Sequence, residues 1–106
     1  MSRPRYKFYG YMKNVARAYP EMKAREANGP PLNRPEKREL EAVEYAIELT
    51  ARIPKSGKER IRLIELTLFK GLPLEAAASR CFVSYSVARR WVSEFIVSMA
   101  EYMGIV

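Results

Sequence analysis

Apolar side chains recur every three or four residues along most of this chain, a helical period, and no stretch reads as a strand. Residues 4–19 place Phe8, Tyr11, Met12, Val15 and Tyr19 at that spacing. Pro20 is expected to end or kink this first helix, with a short helical piece continuing to Ala27. Asn28-Gly29-Pro30-Pro31 is a strong breaker and the best candidate linker. A second helix starts near Asn33, where Asn33 and Glu36 have capping-box spacing. Leu40, Val43, Ala46, Ile47 and Thr50 form its apolar face, Glu39, Glu41, Glu44 and Glu48 lie mostly off it, and Pro54 stops it.

Ser56-Gly57-Lys58-Glu59 has the full capping-box pattern for a third helix running to Lys70. Ile61, Leu63, Ile64, Leu66, Leu68 and Phe69 cover more than one side of it, so it is expected to be the buried, central helix. Gly71 suits its C-terminal cap, and Pro73 suits the first turn of a short fourth helix ending near Cys81. The fifth helix runs from Ser84 to about Met103, with Gly104-Ile105 as a glycine cap and its hydrophobic contact. The expected fold is all-α: a single helical domain of about five helices. Residues 1–32 supply the N-terminal helix and linker, 33–70 the support helices, and 72–105 a helix-turn-helix with a long second helix.

Small residues stand where the two helices of that last unit must cross closely: Ala77, Ala78 and Cys81 on the first, Ala88 on the second. Val83 plugs the turn, the Ser84 hydroxyl can cap the second helix, and Trp91, one turn after Ala88, closes the small core. The outward positions are then Ser84, Tyr85, Ser86, Arg89, Arg90 and Ser93. All carry hydrogen-bonding groups, and arginine is the side chain best shaped to grip guanine or phosphate. The apolar stripe Ala88, Trp91, Val92, Phe95, Met99, Met103 outruns the motif. Either the chain's own first and second helices cover it or part of it meets a second copy in a homodimer.

Charge sharpens the picture. Nineteen basic residues against 12 acidic give a 106-residue chain a net charge of +7, which points to an anionic partner. Residues 1–20 hold Arg3, Arg5, Lys7, Lys13 and Arg17 and no acid. Tyr6, Phe8, Tyr9 and Tyr11, interleaved with those cations, form either a stacking surface for single strands or part of the core. Met1 to Arg5 is either a basic arm that reaches DNA or a plain terminus. The single cysteine, Cys81, cannot form an internal disulfide, which suggests a cytoplasmic protein. No apolar run approaches the ~18 residues of a membrane span, and the basic N-terminus lacks the apolar core of a signal peptide. The absence of His and Asp removes the usual general base and the commonest zinc and magnesium ligands. Ser56-Gly57-Lys58 resembles the end of a phosphate-binding loop, but the upstream glycine and strand are missing. Neither an enzyme nor a cofactor is expected.

With these residues in view, the chain resembles phage-encoded transcriptional regulators of the ArpU/RinA type, whose helix-turn-helix is similar to region 4 of sigma factors. The resemblance covers roughly residues 15–105. It rests on Tyr19-Pro20, on the charged amphipathic helix, and on the apolar run Ile61 to Gly71 leading into Ala77-Ala78 and Val83 to Trp91, with Gly104 near the end. One departure is Phe82, which stands where many such motifs have glycine. Glycine there takes a positive φ freely, so Phe82 is expected to pack inward through a different turn. The resemblance implies sequence-specific binding of double-stranded DNA and transcription regulation, in phage or prophage late-gene control in a bacterial host. Base readout would fall to Ser84, Tyr85, Ser86, Arg89, Arg90 and Ser93, and phosphate contacts to Arg80, Lys70 and the basic N-terminal segment. Two alternatives remain open: a DNA-packaging subunit of small-terminase kind, and a module that docks on a sigma factor or RNA polymerase.

Overall fold

The computed structural model describes residues 7–105, and among them every regular element is helical. Helix α1 spans Tyr9–Asn28, α2 Arg34–Ala51, α3 Gly57–Ile64, α4 Leu74–Arg80 and α5 Tyr85–Tyr102. Helix α3 passes without a break into a π-helical turn, Glu65–Phe69. The buried side chains form one cluster to which all five helices contribute.

Helix α1 does not stop at Pro20. It runs through it, with Pro20 exposed and Met22 on the far side buried in the core. Proline forfeits one backbone bond, and the burial of Met22 together with a link at the helix end outweighs that loss. The link is Arg25, whose two terminal nitrogens meet the Glu36 carboxylate at 2.8 and 3.3 Å across the linker. Phe8, Tyr9 and Tyr19 pack against the core rather than forming an open stacking face. The Tyr19 ring lies 5.1 Å from Phe69, which meets Phe95 edge-on at 6.5 Å. Tyr11 is exposed and donates to Glu39 at 2.6 Å, a bond that pushes its pKa up to about 12. Met1 to Tyr6, with Arg3 and Arg5, lie outside the described residues.

The capping box of α2 forms as the spacing predicts. Asn33 Oδ1 accepts from Glu36 N at 2.8 Å, and Glu36 Oε1 accepts from Asn33 N at 3.0 Å. The one expected at Ser56 does not. Ser56 has φ −121° and ψ 1°, away from the extended backbone a capping residue needs, and its hydroxyl instead accepts from Arg60 Nε at 3.0 Å. The third helix also fails to stay α-helical to its end. Lys70 N donates to Glu65 O at 2.9 Å, five residues back, and Leu72 N reaches Leu66 O. Thr67 and Leu68 are both buried in this wider turn. Buried Thr67 satisfies its hydroxyl by donating to Leu72 O at 2.9 Å.

Helix α5 shares the central place expected of the third helix. It touches α1, α2, α3 and α4, and its largest contact is with α2, which runs antiparallel to it. Arg38 near the start of α2 donates to Met103 O at 3.2 Å, where a cation favours a helix C-terminus. Tyr102 donates to Glu41 at 3.0 Å and its ring meets that of Tyr45 at 5.2 Å, tilted by 36°. The apolar stripe is thereby covered within the chain: Phe95, Ile96, Met99 and Ala100 are at most 1% exposed. Gly104, at φ +74°, closes the helix with Ile105 N donating to Ala100 O, the glycine cap the sequence suggests. No helix among the described residues is long and apolar enough to cross a membrane.

Candidate nucleic-acid interface

Helices α4 and α5 are joined by four residues, Cys81 to Ser84. The crossing is close because the residues facing it are small. Ala77 and Ala88 are fully buried, and Ala78 and Cys81 nearly so. Val83 turns inward against the core and anchors the loop from below. Burial pushes the Cys81 thiol pKa up, with nearby Arg62 opposing the shift. The thiol packs where the two helices cross, 8% exposed.

The turn itself is a Schellman motif. Phe82 N donates to Ser79 O at 3.2 Å and Val83 N to Ala78 O at 3.1 Å, which satisfies the last carbonyls of α4. This geometry demands a left-handed residue between them, and Phe82 supplies it at φ +59°. The inward packing expected of Phe82 does not occur. A left-handed residue at this place turns its side chain away from both helices, and the ring is 92% exposed. Ser84 then starts α5 as foreseen, its hydroxyl accepting from Val87 N at 3.1 Å.

The outward residues named from the sequence share one surface at the head of α5. Ser84, Tyr85, Ser86, Arg89 and Arg90 are exposed and Ser93 is half-buried, while Trp91 is buried on the opposite side. The Arg89 guanidinium lies 6.0 Å over the Tyr85 ring, a cation–π contact that orients both side chains. Arg80 is exposed at the end of α4, next to the turn. From Ala76 to Ser93 the chain carries three arginines and no acid. The positive end of the helix dipole adds to that field. Lys70 is exposed on the rim of a shallow groove with Tyr19, Pro20 and Lys23 of α1.

Arg60 is the residue that sequence reasoning missed. Its guanidinium sits 5.2 Å over the Trp91 ring, reaches Glu94 at 2.5 Å, and holds the Ser56 hydroxyl. It therefore clamps α5 to α3 one turn beyond Arg90. Glu94 also lies 3.9 Å from Arg90, which marks the acidic boundary of the basic surface. Arg60 and Glu94 are 34 residues apart, so no local pattern could reveal the pair. Trp91 Nε1 is buried with no hydrogen-bond partner among the described residues. The indole is held by its ring alone. No protein-family model matches this chain, and no curated protein or solved structure matches it either.

Proposed function

We propose that this chain binds double-stranded DNA sequence-specifically and acts as a transcription regulator, with α4, the turn and α5 serving as a helix-turn-helix. The observation that carries the reading is the acid-free face of Tyr85, Ser86, Arg89 and Arg90 on a capped helix that projects from a short turn. An α-helix fits the major groove, and its first turns make the base contacts. Arg80 beside the turn suits a phosphate flanking the groove, and Arg62 on α3 is a further exposed cation nearby. The resemblance to phage late-gene regulators supplies the biological setting of the proposal, and a contact with RNA polymerase would be made by surfaces away from this face.

A mobility-shift titration of duplex DNA at two salt concentrations tests the reading. Each phosphate neutralised should contribute about −0.9 to the slope of log affinity against log salt. Arg89→Ala and Arg90→Ala should each weaken binding by about 1–3 kcal/mol without changing the thermal midpoint, since neither side chain is buried. A wild-type chain that ignores duplex DNA at low salt would overturn the proposal.

A further inference from the structure

Phe82 is the residue that folding explains least. It occupies the left-handed position of the Schellman turn, where glycine fits without steric cost and an L-residue does not. Its ring is 92% exposed and fills no part of the core. A glycine would serve this turn better on both counts, so the reason for an aromatic ring lies outside the fold.

The surroundings say what that ring meets. Arg80 precedes it by two residues, and the exposed Tyr85, Arg89 and Arg90 follow on the first turns of α5, near the positive end of its dipole, in a stretch that holds no acid from Ala76 to Ser93. A protein partner of ordinary kind needs on the order of 800 Å² per side with an apolar centre. Here the exposed apolar surface is one ring with the half-exposed Tyr85 three residues on. A lone ring among cations matches duplex DNA instead. Phosphates take the cations, and the one apolar group on the major-groove edge of the base pairs, the C5-methyl of thymine, takes the ring.

We infer that Phe82 is a base-reading residue that packs on thymine methyl groups in the major groove, just ahead of the contacts made by α5. This inference rests on the duplex-binding reading above. The test selects sites from a randomised duplex library with the full chain, wild-type and Phe82→Gly. The preferred wild-type site is then resynthesised with deoxyuridine replacing each thymine in turn, which removes only the methyl. Wild-type binding should fall about fourfold at a contacted position, the value of one buried carbon. Phe82→Gly should bind the thymine and deoxyuridine duplexes alike, lose the thymine preference, and keep the salt slope and a thermal midpoint at or above wild type. Phe82→Leu, which keeps an apolar side chain, should retain the methyl dependence. Indifference of the wild-type protein to every methyl, or unchanged methyl dependence in Phe82→Gly, overturns the role of Phe82 while leaving duplex binding intact. Absence of any duplex binding by the wild-type chain overturns both.

Discussion

A methyl group added at Gly57 would sit 2.5 Å from the carbonyl oxygen of Ala51 and 3.1 Å from that of Thr50. Helix α3 begins against the backbone that ends α2, and only a missing Cβ permits the approach. Gly57→Ala should therefore lower stability by about 1–3 kcal/mol, read as a lower urea midpoint. An unchanged midpoint would mean the two helix ends separate freely. Trp91 is a second test at this scale. Its ring is 8% exposed and lies under the Arg60 guanidinium, so Trp91→Ala should cost about 3–5 kcal/mol. Thermal melts check it; a variant that melts like the parent would remove Trp91 from the core. Its inward place was legible from its spacing after Ala88. The arginine above it was not, because Arg60 reaches Trp91 only once α3 and α5 are packed.

Helix termini show how far local pattern carries. Asn33 and Ser84 each cap a helix through a bond to a residue three positions on, at 2.8 and 3.1 Å. Either substitution to alanine should cost about 1 kcal/mol. Ser56, in the same kind of motif, makes no capping bond, so Ser56→Ala should leave the α3 terminus unchanged and weaken only the hold on Arg60. Equal losses of midpoint in all three variants would contradict this. Glu36 adds a pH dependence. The Arg25 guanidinium, and then the Asn33 backbone N–H, hold its carboxyl below the ordinary value. A carboxylate with a depressed folded pKa contributes stability above its unfolded pKa, and that contribution disappears as the pH falls through the folded value. Wild type should thus melt above Glu36→Gln at neutral pH, with the gap closing below about pH 4. A gap as large in strong acid as at neutral pH would show that charge plays no part in joining α1 to α2.

For the whole molecule, the deciding fact is that α5 is already covered. Met99 and Ala100 are fully buried against the chain's own helices, so the stripe that suggested a homodimer is spent inside the fold. What remains apolar at that end is the contacting ring pair Tyr45 and Tyr102, each 38% exposed, and Ile105, 43% exposed. The free protein should therefore scatter light as a monomer. Under the proposed duplex-binding role, pairing on adjacent half-sites would arise only on DNA, since a single helix in the groove reads too few base pairs to define a site. A stable dimer in the absence of DNA would show that this remaining surface is an interface.

Interactions between residues three to five apart were determined by the sequence itself: the helical periods, the caps at Asn33 and Ser84, the glycine caps at Gly71 and Gly104, and the outward set on α5 from Ser84 to Ser93. Such contacts depend on neighbours along the chain and on little else. Pro20 did not end its helix, Ser56 did not cap and Phe82 did not pack inward, and in each case a competing interaction or the geometry of a turn decided the outcome. Burial of Met22 carries α1 through a proline, Arg60 takes the serine hydroxyl that a cap would use, and the Schellman turn imposes a left-handed residue whatever its side chain. The clamp from Arg60 to Glu94, the cover over α5 and the exposure of Phe82 were decided only by tertiary structure. Each depends on which helix faces meet, and that choice is made by many small burial energies summed over the whole core rather than by any short pattern.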